Sequence, residues 1–133
     1  MKTYTSSQPL TLESAAFRER CFTSWLPLEG LQAAIDFNLT LGLLPIYVEH
    51  RDSKTGRYLF WHPPDGMEFE VRSGRSENLF REFDEKASDR GVALLSLHIN
   101  EDRLYSAVWV AEEHLDSATT SLNGFGLSRA TRS

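Results

Sequence analysis

The chain carries four histidines, His50, His62, His98 and His114, with Glu49, Asp52 and Asp65 as the acids closest to the first two. Imidazole and carboxylate together offer acid–base chemistry near neutral pH, or ligands for a divalent metal. The histidines form no His-x-x-x-His pair and no other zinc-ligand spacing, so no metal and no cofactor are expected. A Gly-x-Ser-x-Gly elbow, a P-loop and a dinucleotide fingerprint are all missing from the sequence. Cys21 falls on a helix face with Phe17 and Trp25, which predicts a buried, inert thiol. A metal-dependent hydrolase built from dispersed His, Glu and Asp is therefore the weakest of three functions the residues allow.

Strand pairing brings distant residues together more effectively than local spacing does. Pro45–Arg51 and Arg57–His62 flank the polar loop Asp52-Ser53-Lys54-Thr55-Gly56, where the glycine is expected to take a positive φ. Pairing Asp52 with Arg57, Glu49 with Phe60 and Tyr47 with His62 puts Tyr47, Glu49, Tyr58, Phe60 and His62 on one face. A second hairpin, Val92–Ile99 with Arg103–Val110, turns at Asn100-Glu101-Asp102 and places Ser96, His98, Tyr105 and Trp109 on the matching face. Two histidines, a carboxylate and several aromatics suit a small planar ligand or a peptide. The expected binding residues are thus Tyr47, Glu49, Tyr58, Phe60, His62, His98, Tyr105 and Trp109. A slip of one residue would invert either face.

The elements that must carry these residues follow from periodicity. Leu12–Ser24 reads as a helix with Phe17, Cys21 and Trp25 as its buried stripe. Leu28–Leu41 repeats Leu28, Leu31, Ile35 and Leu39 at helical spacing and ends before Gly42. Ser76–Arg90 repeats Leu79, Phe80, Phe83 and Ala87 and ends before Gly91. Met67–Arg72 alternates apolar and charged residues as a half-buried strand. Residues 1–8 are polar and unpatterned, and Asp116–Ser133 is rich in Ser, Thr and Gly, so both ends are expected to be loose. Residues 9–115 then form a single α+β domain. It has an N-terminal helix, two helix–hairpin units at about 28–62 and 76–110, and one extra strand, with one antiparallel sheet and the helices on one face.

At 133 residues the chain is long enough for one core without staples. A net charge of −5 argues against nucleic acid, and no apolar run approaches the roughly 20 residues that span a bilayer. One cysteine gives no disulfide framework and points to the cytoplasm.

The two units echo each other. Leu31…Ile35-Asp36…Gly42…Ile46-Tyr47-Val48…Arg57-Tyr58-Leu59-Phe60-Trp61 is followed about 48 residues later by Leu79…Phe83-Asp84…Gly91…Leu95-Ser96-Leu97…Arg103-Leu104-Tyr105-Ser106-Ala107-Val108-Trp109. The second unit resembles the helix–hairpin repeats of polyglycine-hydrolase-type proteins, whose last strand is similar to Arg103–Trp109. The first unit departs from that pattern at Tyr58-Leu59-Phe60-Trp61-His62, where small residues are the rule. In that family the repeats are a non-catalytic accessory region, and this chain has no counterpart of the serine-containing hydrolase domain. The resemblance implies a protein-interaction or scaffold module. The duplicated unit, and aromatic strands whose second face so short a chain is expected to leave uncovered, point to one domain of a larger protein or to a homodimer. A small-molecule-binding domain, with a cleft between the two units, is the alternative.

Overall fold

The computed structural model describes residues 4–7, 12–61 and 68–132. Strand β1 (Tyr4–Thr5) is followed by helix α1 (Leu12–Cys21), β2 (Leu26–Pro27), α2 (Leu28–Thr40), β3 (Leu44–His50) and β4 (Thr55–Trp61). Then come β5 (Phe69–Arg75), α3 (Glu77–Asp89), β6 (Val92–Ile99), β7 (Tyr105–Ala111), a short 3-10 turn, α4 (Leu115–Gly124) and β8 (Thr131–Arg132). The α+β class stands, but the strands divide into two three-stranded antiparallel sheets, ordered β2-β4-β3 and β5-β7-β6, and a two-stranded pair, β1-β8. The expected single sheet does not form because β3 packs across the face of the second sheet, against β5, β6 and β7, and pairs with none of them. A buried side-chain bond joins the two sheets there, Ser96 Oγ donating to Ile46 O at 2.8 Å.

The connectivity of β5–α3–β6–β7 repeats that of β2–α2–β3–β4. In each, the strand before the helix pairs with the second hairpin strand. Each hairpin also has a register shift at the same place, between Pro45 and Tyr47 and between Leu94 and Ser96, so Ile46 and Leu95 are corresponding bulge residues.

The helices form where apolar spacing and caps coincide. Ser76 Oγ accepts from Leu79 N at the start of α3, and Gly42 and Gly91 close α2 and α3 with φ of 76° and 73°. Leu31 and Ile35 of α2 and Phe80, Asp84 and Ala87 of α3 face inward. Helix α3 lies on the face of the second sheet that carries Leu94, Leu97, Tyr105, Ala107 and Trp109. Its other face, with Leu95, Val108, Val110 and Val71, shares a core with β3, β4, α2 and α4.

Helix α1 stops at Cys21, earlier than its pattern predicts. Phe22 bridges Leu59 and Thr23 N donates to Tyr58 O, so the chain turns extended to meet β4. The expected stripe accordingly breaks up: Phe17 is exposed and stacks on Phe125, while Cys21 is half-buried. Gly56 has no positive φ either. It lies in β4 opposite His50, where a Cβ would stand 2.7 Å from Leu31 Cδ2 and 2.9 Å from Glu49 O, so lack of bulk is its requirement. The loop before it is held by Asp52, whose Oδ1 accepts from Lys54 N and Thr55 N.

Of the ends expected to be loose, residues 4–7 and 116–132 are built into the fold. Ala118, Leu122, Leu127 and Ala130 are buried. Ala130 N donates to Leu95 O and Ser7 N donates to Leu97 O, so both termini run along the otherwise open edge of β6. Tyr4 and Thr5 pair with Arg132 and Thr131. The Ser/Thr/Gly composition hid a sparse but sufficient apolar set.

Candidate functional site

The registers differ from those the sequence suggests, and the difference decides the site. Glu49 lies opposite Arg57, where Phe60 was expected, an offset of three residues. Because the side-chain period in a strand is two, an odd offset divides the expected face. Tyr47 and Glu49 share one face of the first sheet with Arg57 and Leu59. Tyr58 and Phe60 lie on the other, toward α2, where Asn38 Nδ2 donates to the Tyr58 hydroxyl at 2.5 Å. The cause is the Asp52-capped loop, which lets Thr55 and Gly56 join the ladder.

The second hairpin divides in the same way. Tyr105 lies opposite Ile99 and His98 opposite Ser106, so Tyr105 and Trp109 face α3 while Ser96 and His98 face the first sheet. The Tyr105 hydroxyl donates to Glu77 at 2.8 Å and Trp109 Nε1 donates to Asp84 at 3.0 Å. These are core anchors. His62 lies outside the described residues.

Three expected residues, Tyr47, Glu49 and His98, do come together. They line a cleft of about 280 Å³ with Ser6, Ser7, Arg18, Ile99 and Leu127. Glu49 and His98 stand at corresponding positions, each three residues beyond its bulge, so the cleft lies between equivalent strands of the two units. The Tyr47 ring meets the imidazole edge-to-face, with centroids 6.1 Å apart. Ser7 and Arg18 are contributions that sequence reasoning missed. Ser7 lies in a segment read as unpatterned, and Arg18 sits beside an expected apolar stripe that does not form.

A network behind the cleft fixes the carboxylate. Arg57 Nε donates to Glu49 Oε1 at 2.7 Å, and its two terminal nitrogens hold both oxygens of Glu19 at 2.6 and 2.9 Å. Its guanidinium lies 3.8 Å from the Phe22 ring centre and 4.5 Å from that of Trp25, whose ring also lies under Arg51 at 4.7 Å. Arg57 holds the Glu19 carboxyl below its ordinary pKa.

The remaining polar groups of the cleft are less engaged. Arg18 donates to Phe125 O at 3.3 Å and joins no ion pair among the described residues. Ser7 is 5% exposed and its hydroxyl has no partner among the described residues, and His98 Nδ1 is likewise buried without one among them. Buried polar atoms left unpaired cost roughly 1–3 kcal/mol each. Among the described residues, no three His, Cys, Asp or Glu side chains are placed to hold a metal ion.

Burial pushes the His98 imidazole below its ordinary pKa, with nearby His50 acting in the same sense and Glu49 in the opposite one. His50 is also pushed down by burial, against the opposing pull of Asp52. Both histidines then stay neutral in the fold at pH values where the unfolded chain, with pKa 6.5, takes up protons. Stability is therefore expected to be full above about pH 7 and to fall as the pH drops below 6.5, by at most about 1.4 kcal/mol per pH unit per histidine. Thermal melts between pH 7.5 and 5 check this, and His50→Gln should flatten the slope. Glu19 and Glu77 add to the loss only nearer their ordinary value of 4.5.

No protein-family model, no curated protein and no solved structure matches the chain. The geometry of the cleft is accordingly the ground for a functional reading. No helix among the described residues is long and apolar enough to cross a membrane.

Proposed function

We propose that the chain is a non-catalytic small-molecule-binding domain whose ligand sits in the cleft between its two strand–helix–hairpin units. The supporting observation is the convergence of Ser7, Arg18, Tyr47, Glu49 and His98 on one concavity, with two of their polar atoms buried and without partners among the described residues. The matching connectivity and bulges of the units support a duplicated architecture, with the cleft at its junction. A half-buried free thiol at Cys21 agrees with a cytoplasmic setting. Filling the cleft tests the reading. Small polar fragments that raise the melting temperature of the wild-type protein should have no effect on Ser6→Trp, which places a ring at the half-buried lining position of the cleft. Equal stabilisation of both proteins would remove the cleft as the site.

A second reading, a protein-interaction module, rests on Phe37 and Leu41 at the end of α2, which are 63% and 60% exposed. The aromatic strands leave no uncovered face for self-association, since Tyr58, Tyr105 and Trp109 are buried within the chain. Sedimentation that is independent of concentration, with Phe37→Ser behaving like wild type, would rule out self-association through this patch.

A further inference from the structure

We infer that the ligand of this cleft is a small zwitterion of the α-amino-acid type, its carboxylate held by Arg18 and Ser7 and its ammonium by Glu49 and His98. The inference rests on the cleft being a ligand site, and it names the class of ligand.

Charge sets the first condition. The lining holds one guanidinium, Arg18, and one carboxylate, Glu49, from different elements. Glu49 shares Arg57 with Glu19, so two carboxylates divide one cation there and that cluster keeps a net negative charge. Arg18 supplies the compensating positive charge without an ion-pair partner among the described residues. A simple anion would meet Arg18 favourably but face the Glu49 cluster, and a simple cation would meet the reverse. A ligand with both charges satisfies both.

Hydrogen-bond inventory sets the second condition. The Ser7 hydroxyl, buried and without a partner among the described residues, is a donor suited to a carboxylate oxygen. His98 Nδ1, also buried and without a partner among the described residues, becomes an acceptor once the imidazole is neutral with its proton on Nε2. A neutral ring accepts a bond from an ammonium. Glu49, at the corresponding position of the other unit, provides the countercharge.

Size and lining set the third. At about 280 Å³ the cleft holds a small molecule, and Leu127 and the Tyr47 ring give it an apolar side. A branched aliphatic side chain fits such a wall.

The test compares three ligands of one carbon skeleton on the wild-type protein by calorimetric titration. L-leucine carries both charges, 4-methylpentanoate lacks the ammonium, and 3-methylbutylamine lacks the carboxylate. Leucine should bind at least tenfold more tightly than either analogue. Arg18→Gln should bring leucine down to the level of the amine, and Glu49→Gln down to that of the acid. If either analogue matches leucine in the wild-type protein, the zwitterion assignment is wrong while the cleft stays a ligand site. If none of the three binds and polar fragments also leave the His98 ring resonances unmoved, both the assignment and the cleft reading are overturned.

Discussion

Replacing Trp109 by alanine is expected to cost about 3–5 kcal/mol, the range for truncating a fully buried large aromatic. Trp109 is 0% exposed, its ring stacks on Phe80 with centroids 5.8 Å apart, and its indole N–H donates to Asp84. The Tyr4 hydroxyl donates to the other oxygen of Asp84, also at 3.0 Å, so one buried carboxylate joins α3, the centre of the second sheet and the N-terminal strand. Such a loss is a large share of the roughly 5–15 kcal/mol that holds a domain together. Trp109→Phe separates the two contributions. It keeps most of the ring packing and drops the donor, so a smaller loss of about 1–3 kcal/mol is expected. Denaturant unfolding measures both. Equal losses for the two variants would mean that the hydrogen bond to Asp84, and not the packing, carries the contribution.

Gly74→Ala is expected to have an effect of comparable size for a different reason. Gly74 lies in the irregular stretch of β5 between Arg72 and Arg75, with φ at 61°. A side chain in that left-handed conformation costs roughly 1–2 kcal/mol. A Cβ there would also stand 2.6 Å from Cε1 and 2.9 Å from Nε2 of His50. The ring has little room to retreat: His50 is 1% exposed and its Nδ1 lies 3.3 Å from Asp52 O. Overpacking of a filled interior adds about 1–3 kcal/mol. In the His50→Ala background the steric part should vanish and the backbone part remain. Strictly additive losses in that double-mutant cycle would show that the close approach of Gly74 to His50 carries no energy.

The contact between Gly74 and His50 also shows where sequence reasoning stops. Helices α2 and α3 were legible almost to the residue, because Leu31/Ile35 and Phe80/Ala87 mark their inner faces and Gly42 and Gly91 their ends. Both hairpins were legible as hairpins, since turn-forming residues separate runs of strand formers. Their registers were not. The register of the first depends on Asp52 capping a loop that frees Gly56 for the ladder, a local competition that strand patterns do not reveal. The bulges at Ile46 and Leu95 leave no mark in an apolar run. Faces inferred from pairing therefore split, sending Tyr58 and Phe60 toward α2 and Tyr105 and Trp109 toward α3. Tyr47, Glu49 and His98 stayed together because their sheets pack face to face across the junction. The termini were misread through composition. Four apolar residues and two backbone bonds to β6 are enough to order the C-terminal segment and residues 4–7.

The central claim is that the junction cleft is where this protein binds its ligand. Amide and imidazole chemical-shift mapping of the wild-type protein against a set of small polar fragments, with no compound chosen in advance, tests it most directly. The account predicts that shifts concentrate on Ser7, Tyr47, Glu49, His98 and Leu127, with Tyr58 and Tyr105 unmoved. Shifts gathered instead around Phe37 and Leu41 on α2, with His98 silent, would contradict it.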